Sequence, residues 1–219
     1  MIAIDGPAAS GKSAVGVAVA TRLGFRFFDT GAMYRAVTWY ALRRNIDVHD
    51  PHALATLVEH ASVTVREAPR GSADATSVRV DGEDATPHLR DSPVEAHVSV
   101  VSRVPGVRRA LVRIQRELAS DGAVVMAGRD IGTVVLPDAD CKIYLDASRE
   151  VRAQRRRKQI LDAGGEADYD DLLADLERRD GIDSSRPASP LTAAPDAVII
   201  NTDNLSVDEV VERIVEMAT

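Results

Sequence analysis

Residues 6–13 form a glycine-rich octapeptide, Gly-Pro-Ala-Ala-Ser-Gly-Lys-Ser, just after the apolar run Ile2-Ala3-Ile4. The octapeptide matches G-x-x-x-x-G-K-[ST], the pattern of a loop that wraps its backbone N–H groups around phosphate. Glycines allow the tight curvature, the lysine reaches outer phosphate oxygens, and the final hydroxyl can meet Mg²⁺. A helix that begins near residue 12 would direct the positive end of its dipole at the same anion. The pattern therefore predicts a nucleoside triphosphate site between a strand and a helix.

A glycine-rich turn that only caps a helix is the simpler alternative for this octapeptide. Lysine is scarce in the chain, occurring at 12, 142 and 158, so a lysine inside the loop is informative. Because glycine makes up about 7% of average proteins, chance seldom fills all the fixed positions of the pattern. We expect Lys12 to act in catalysis and Ser13 to ligate Mg²⁺. The residues expected to bind ATP are Gly6, Pro7, Ala8, Ala9, Ser10, Gly11, Lys12, Ser13 and Ala14.

Composition and charge narrow the class of protein. The chain has 219 residues, of which 45% are hydrophobic and 28% charged, and this suits a globular protein with a sizeable core. A net charge of −7 argues against a general nucleic-acid binder, because such proteins owe their affinity to a positive surface. Cys141 stands alone and cannot form a disulfide within the chain, and we find no long apolar run that would span a membrane. We expect a cytoplasmic monomer without nucleic-acid or membrane partners.

Short apolar runs alternate with helical patterns along the chain. The predicted strands are 2–4, 123–127, 141–145 and 197–200, and the predicted helices are 12–23, 33–44, 106–120, 148–163, 169–180 and 206–217. This alternation implies a parallel sheet covered by helices on both faces. The runs 63–65 and 78–80 differ, since they resemble the strands of a small antiparallel insert at 62–90. The Pro-rich segment 187–195 is predicted to be a surface loop.

Two further segments place polar side chains where an open sheet binds ligands. Residues 29–35, Asp-Thr-Gly-Ala-Met-Tyr-Arg, put an acid, a hydroxyl and a glycine before a predicted helix that carries an arginine. Capping would explain Asp29 or Thr30 alone, but an arginine and a hydroxyl at one helix start also suit a second phosphate. The tripeptide 128–130, Gly-Arg-Asp, follows a predicted strand, and ligands bind beyond the carboxyl ends of parallel strands. A surface turn with a salt bridge is the alternative for this tripeptide.

A basic stretch follows the strand predicted at 141–145. Arg152, Arg155 and Arg156 share one face of a predicted helix by their i, i+3 and i+4 spacing. Such a run usually marks a solvated face. The segment 179–187 adds two arginines and further acids, so two basic helices joined at Gly164-Gly165 would form a mobile lid that closes over phosphates.

Taken together, the motifs at 6–13, 29–35, 128–137 and 178–191 resemble those of the bacterial cytidylate kinases, and the resemblance covers essentially the whole chain. The stretch Ala-Gly-Arg-Asp-Ile-Gly-Thr-Val-Val is particularly specific. The resemblance implies an α/β fold of the P-loop nucleoside triphosphate hydrolase type, three layers around a five-stranded parallel sheet. It also implies transfer of the γ-phosphoryl group of ATP to CMP or dCMP, giving ADP and CDP or dCDP, with Mg²⁺ as cofactor.

The same resemblance divides the chain and assigns roles to residues. It implies one domain over 1–219 with three parts: a core at about 1–30, 104–148 and 187–219, a monophosphate-binding subdomain at about 31–103, and a lid at about 149–186. The residues implied for the monophosphate clamp are Thr30, Arg35, Arg129 and Arg186. Those implied for reading cytosine are Ser99, Arg108 and Asp130, and those for the sugar are Arg179 and Asp183. We expect catalysis from Lys12 and from arginines that neutralise the transferred group on lid closure, namely Arg129, Arg152, Arg155, Arg156 and Arg186.

The chemistry of cytosine agrees with this assignment. The base presents an amino donor beside ring acceptors, so a carboxylate and a hydroxyl should face the amino group while an arginine faces N3 and O2. Uracil carries an oxygen in place of the amino group, and Asp130 would repel it.

Two other classes of protein remain open from the residues alone. A kinase of the same fold that acts on UMP, AMP or shikimate would keep residues 6–13 but gives no reason for the motifs at 128–130 and 178–186. A regulatory nucleotide switch or a nucleic-acid-dependent ATPase would also keep the loop. A GTPase normally reads guanine with Asn-Lys-x-Asp, and the tripeptide 201–203, Asn-Thr-Asp, lacks the lysine.

Overall fold

A computed structural model of the chain describes residues 1–68, 74–186 and 188–218. The strands are β1 (Ile2–Asp5), β2 (Arg26–Asp29), β3 (Val63–Glu67), β4 (Thr76–Val80), β5 (Glu83–Asp84), β6 (Val124–Gly128), β7 (Cys141–Asp146) and β8 (Val198–Asn201). The α-helices are α1 (Lys12–Leu23), α2 (Thr30–Arg43), α3 (Pro51–His60), α4 (Ser92–Ser102), α5 (Pro105–Leu118), α6 (Arg149–Asp162), α7 (Tyr169–Ser185) and α8 (Val207–Ala218). A short 3₁₀ turn covers Thr86–His88, and one π-helical turn covers Ile131–Val135.

Five strands form a parallel sheet in the order β2-β6-β1-β7-β8. The central strand β1 pairs with β6 and β7, so that Ile2 lies opposite Val125 on one side and Cys141 on the other. The outer pairs β2 with β6 and β7 with β8 are parallel as well. The carboxyl ends of all five strands therefore meet at one edge. The predicted five-stranded parallel sheet is confirmed.

Alternating residues of the sheet supply two hydrophobic cores, one on each face. Ile2 and Ile4 pack with α1 and α8 in one core, while Ala3 packs with α2 and α5 in the other. This period of two is what an extended strand imposes on its side chains. Because helices cover both faces, the strands read as short continuous apolar runs. The predicted three-layer arrangement is confirmed, and both cores hold the carboxyl edge of the sheet rigid.

The antiparallel insert predicted from 63–65 and 78–80 is present as a three-stranded sheet, β3-β4-β5. It covers the outer edge of the main sheet, where the Glu67 carboxylate accepts a hydrogen bond from the Phe27 amide at 3.1 Å. In the same way, the Thr76 hydroxyl accepts one from the Asp29 amide at 2.8 Å. These side chains satisfy strand donors that an edge leaves unpaired. Residues 69–73, between the two predicted strands, and Pro187 of the predicted loop 187–195 lie outside the described residues.

Several elements differ from the sequence prediction. The strand β2 and the helices α3 and α4 were not predicted. The strand β2 begins with Arg26 and ends with Asp29, so its apolar run is only two residues long. The helix α2 begins at Thr30 and not near 33, since the Asp29 side chain accepts from the Gly31 amide at 2.9 Å and caps it. The helix α7 continues through Gly181 to Ser185 and does not end at 180. No helix in the described ranges is long and apolar enough to cross a membrane.

Candidate active site

The loop at 6–13 connects β1 to α1 at the carboxyl edge of the sheet. Gly6 has a φ of 148°, and a Cβ there would lie 2.2 Å from the Leu145 carbonyl oxygen, so this position requires glycine. Gly11 has a φ of 96° and precedes α1 directly. The loop therefore has the tight backbone path between strand and helix that the sequence pattern predicts, with the helix N-terminus beside it.

Lys12 is buried at the start of α1 and turns back over the loop. Its Nζ donates to the Pro7 carbonyl oxygen and lies 3.3 Å from the Ser10 hydroxyl. Burial, and secondarily the charge of Arg129, holds the pKa of this amine well below its ordinary value. A phosphate beside Nζ would favour the charged form again, because an opposite charge stabilises the ammonium group. The Lys12 ammonium group is therefore positioned to contact an anion bound at the loop.

A hydroxyl and a carboxylate meet beside the loop. The Ser13 hydroxyl donates to Asp29 Oδ2 at 2.7 Å, which joins the start of α1 to the end of β2. Burial alone would raise the pKa of Asp29, but the charge of Arg35 and the hydrogen bond from Ser13 hold it below its ordinary value. An ionised carboxylate next to a hydroxyl is an oxygen donor set of the kind that Mg²⁺ prefers. The described residues contain no cluster of three or more His, Cys, Asp or Glu side chains that would bind a metal without substrate.

Asp5, at the end of β1, holds the segment that follows β6. Its carboxylate accepts from the Ile131 amide at 2.7 Å and from the Gly132 amide at 2.8 Å. Burial raises the pKa of this carboxyl to about 6, although both amide hydrogen bonds favour the ionised form. The amides lie just after Asp130, so Asp5 fixes the backbone that presents Arg129 and Asp130. The sequence analysis did not single out Asp5, although an acid between an apolar strand and the phosphate loop was a visible signal.

Arg108 and Asp130 form a buried ion pair. Arg108 comes from α5 and donates through one NH₂ group to Asp130 Oδ2 and through the other to the Ser102 carbonyl at 3.1 Å. Both side chains are only 5% exposed. Ser99 is buried one turn before Ser102 in α4, in the wall of the same cleft. The structure thus brings together the three residues that the resemblance assigns to cytosine, although they are far apart in the sequence.

The residues expected to clamp the monophosphate lie on the same side of the cleft. Thr30 is buried and donates to the Ala127 carbonyl at 2.9 Å, while Arg129 donates to Asp183 at 3.0 Å. Arg186 is buried and lies 3.8 Å from Asp130. Arg35 donates a hydrogen bond to Glu95. All six residues expected for the clamp and the sugar line one cleft. They are Thr30, Arg35, Arg129, Arg179, Asp183 and Arg186.

The arginines of α6 have three different environments. Arg152 is buried, donates to the Ala8 carbonyl of the phosphate loop at 3.2 Å and pairs with Asp180 at 2.7 Å. Arg155 donates to the Thr202 hydroxyl at 2.9 Å and to its carbonyl at 2.6 Å, beyond the end of β8. Arg156 faces Glu95 at 3.5 Å. The helix α7 carries more acidic than basic side chains, so of the two helices that were predicted to be basic only α6 is.

Glu95 of α4 is a carboxylate that the sequence analysis missed. It accepts from Arg35 Nε at 2.7 Å and from Arg179 at 2.7 Å. Nothing in the sequence pointed to it, because α4 was not predicted and its arginine partners come from helices distant in the chain. Glu95 therefore links α2 and α7 through charge.

One large cleft connects these groups. It has a volume of about 1590 Å³, and its lining includes Lys12, Ser13, Arg35, Asp130 and Arg155. Pockets for a single small ligand usually measure about 300–1,000 Å³, so this cleft has room for two nucleotides. The buried Nε atoms of Arg108 and Arg179 have no hydrogen-bond acceptor among the described residues. Buried donors without a partner are costly, and a bound acceptor would satisfy them.

The fold and the loop define a P-loop phosphotransferase. The family model for cytidylate kinase matches residues 2–219. A cytidylate kinase of Geobacillus kaustophilus is 49% identical over 99% of this chain and 95% of its own length. A cytidylate kinase of Nocardia farcinica is 46% identical over 98% of this chain and 91% of its own. The chain belongs to the cytidylate kinase family.

A solved structure supports the fold alone. An uncharacterized protein of Eubacterium ventriosum superposes with a TM-score of 0.52 at 12% sequence identity, over 99% of this chain and 96% of that one. At such low identity the likeness extends to the arrangement of helices and strands and not to the chemistry of the cleft.

Proposed function

We propose that the chain transfers the γ-phosphoryl group of ATP to CMP or dCMP, and that the buried Arg108–Asp130 pair selects the cytosine base. The specificity for cytosine is inferred from this pair, because it places a carboxylate oxygen and guanidinium donors side by side near the carboxyl end of β6. Cytosine needs that combination, whereas uracil would bring an oxygen toward the carboxylate. Ser99 supplies the hydroxyl nearby in the cleft wall.

The donor nucleotide binds at the loop 6–13 in this proposal. Backbone N–H groups and the N-terminus of α1 surround the phosphates, and Lys12 contacts their outer oxygens. The γ-phosphoryl group then lies between Lys12 and the arginines of α6 and α7. Residues 149–186, which contain these two helices, would act as the lid.

Mg²⁺ is the proposed cofactor. The Ser13 hydroxyl would bind the ion together with ATP, and Asp29 would lie beside it. The 2.7 Å contact between these two side chains and the lowered pKa of Asp29 suit a hard divalent cation. When bound, the ion would neutralise charge on the phosphates during transfer.

The acceptor phosphate is proposed to bind among Arg35, Arg129 and Arg186, with Thr30 donating a hydroxyl and the sugar contacting Arg179 and Asp183. The phosphate of CMP is itself the nucleophile, so the site needs no general base. Phosphoryl transfer between phosphates is catalysed mainly by alignment and by cations around the transferred group. Arg152, Arg155 and Arg156 are proposed to supply that positive charge from α6.

A coupled assay of ADP release across CMP, dCMP, UMP, AMP and shikimate tests the proposal. We expect CMP and dCMP to be the preferred acceptors, with kcat/KM for UMP lower by about a hundredfold, since a mismatched polar edge leaves buried groups unpaired. Equal use of CMP and UMP would contradict the assignment of the Arg108–Asp130 pair. That the chain works as a cytoplasmic monomer stays a prediction, which size-exclusion chromatography checks for the oligomeric state.

A further inference from the structure

Glu95 lies at the centre of an arginine cluster that joins four helical regions. Its carboxylate contacts Arg35 of α2 and Arg179 of α7, each at 2.7 Å, and Arg156 of α6 at 3.5 Å. Arg90, just before α4, lies 4.0 Å away. One carboxylate oxygen faces Arg35 and Arg90, and the other faces Arg156 and Arg179.

This cluster is mostly shielded from water. Glu95 is 14% exposed, and Arg35 and Arg179 are 14% and 8% exposed. Burial would raise the pKa of Glu95, but the charges of Arg35, Arg179 and Arg156 hold it far below the ordinary value. Conversely, burial and the like charges of Arg90, Arg35 and Arg179 lower the pKa of Arg156, although Glu95 opposes this. Asp74 contacts Arg90 at 3.1 Å and Asp175 contacts Arg179 at 3.8 Å, but Glu95 is the carboxylate that Arg35, Arg156 and Arg179 share.

The cluster overlaps the acceptor site of the proposed function. Arg35 is the proposed phosphate ligand and Arg179 the proposed sugar ligand, and both donate to Glu95. The Nε atom of Arg179 stays buried without an acceptor among the described residues, so Glu95 does not saturate this guanidinium. A phosphate that enters would share the Arg35 guanidinium group with the Glu95 carboxylate and would be repelled by that carboxylate.

We propose that Glu95 is a positioning residue, an internal anion that gathers Arg35, Arg156 and Arg179 and with which the CMP phosphate competes. It has two opposite effects. It holds α6 and α7 against α2 and α4 before the nucleotide binds, and it weakens the binding of CMP because two anions share one set of guanidinium groups. This inference rests on the proposed function for its second effect only.

The variant Glu95→Gln tests both effects, because it keeps the shape and one acceptor oxygen but removes the charge. By hydrogen exchange without nucleotide, we expect the amides of α6 and α7 to exchange about tenfold faster than in the wild type, as their tether weakens. By calorimetry, CMP should bind about fivefold more tightly, because a nearby anion is gone. In steady-state kinetics, we expect Glu95→Gln to lower the KM for CMP and to change kcat by a smaller factor.

Two matched variants separate this role from a merely structural one. Glu177→Gln removes a carboxylate of the same helix pair that forms an exposed contact with Arg149, so it should leave both exchange and CMP affinity unchanged. Glu95→Asp keeps the charge and should stay closer to the wild type in CMP affinity than Glu95→Gln. Unchanged exchange, or CMP binding that weakens in Glu95→Gln, would overturn the inference. Failure of the wild type to bind CMP at all would instead overturn the proposed function, while the exchange experiment without nucleotide would still test the tether.

Discussion

The two ends of the cleft are built in different ways. The proposed donor end is a single run of eight residues, and most of this run, with its one lysine, lines the cleft. The proposed acceptor end is a network of side chains from α2, α4, α5, α7 and the segment just after β6, in which carboxylates alternate with guanidinium groups. The first depends on local backbone geometry, whereas the second depends on how distant helices pack.

This difference has a consequence for specificity. In the proposed function, backbone N–H groups at the donor end contact phosphates, which all nucleoside triphosphates share. At the acceptor end, each guanidinium group is fixed by a carboxylate, as Arg108 is by Asp130 and Arg129 is by Asp183. Such pairs orient donors for one ligand and leave costly unpaired groups when the wrong ligand binds. We expect substitutions at the donor end to affect every acceptor equally and those at the acceptor end to change the preference among acceptors.

The largest effect should come from Lys12→Ala at the donor end. The buried ammonium group meets charge that moves during transfer, so kcat should fall by at least about a hundredfold with every acceptor. Thermal unfolding of the variant checks that the fold survives. A kcat within tenfold of the wild-type value would contradict the assignment of residues 6–13 as the phosphate-binding loop.

A smaller loss is expected for Arg155→Ala in α6. If Arg155 leaves Thr202 to contact the transferred group, kcat should fall by about tenfold while the KM for CMP changes little, because the contact forms mainly during transfer. Arg149→Ala is the matched control, since Arg149 lies on the same helix in an exposed pair with Glu177. Steady-state kinetics in which both variants keep the wild-type kcat would place Arg155 in a structural contact with the β8 loop.

The smallest effect belongs to Asp5→Asn, which probes the connection between the two ends. Protonation of Asp5, whose pKa burial raises to about 6, removes an acceptor for one of the amides of Ile131 and Gly132. The kcat/KM for CMP of the wild type should therefore fall as the pH drops through about 6. Asn lacks that acceptor at every pH, so the variant should be about fivefold slower at pH 7.5 and lose less on acidification.

The readout for Asp5→Asn is the ratio of the two rates at each pH, because titration of the CMP phosphate then cancels. We expect the ratio of variant to wild type to rise between pH 7.5 and pH 5. A ratio that stays constant would show that Asp5 does not control the segment carrying Arg129 and Asp130.

The sequence was most informative at the donor end. Gly6, Gly11 and Lys12 have the geometry that the pattern predicts, because eight consecutive residues determine a loop whose strand and helix follow in the chain. The sheet was predictable for a similar reason, since buried parallel strands form continuous apolar runs. The exception was β2, whose charged first and last residues leave an apolar run of only two residues.

At the acceptor end, the sequence pattern alone did not predict which residues come together. Ser99, Arg108 and Asp130 converge only because α5 packs against α4 and against the turn at Ile131–Val135 that follows β6, and their spacing in the chain does not indicate this. The resemblance to a family supplied that set, but it did not supply Glu95, whose helix was not predicted. Charge networks built from several helices become visible only once the tertiary structure is known.

The preference between CMP and UMP in Asp130→Asn measures whether Asp130 reads the base. The substitution keeps the shape but replaces a charged acceptor with a group that also donates, so the cytosine amino group loses its partner while a uracil oxygen can gain one. We predict that kcat/KM for CMP falls by about a hundredfold, that UMP falls less or rises, and that the preference collapses. A variant that keeps the wild-type ratio of kcat/KM for CMP to that for UMP would show that Asp130 does not read the base. That result would contradict the assignment of the Arg108–Asp130 pair to cytosine.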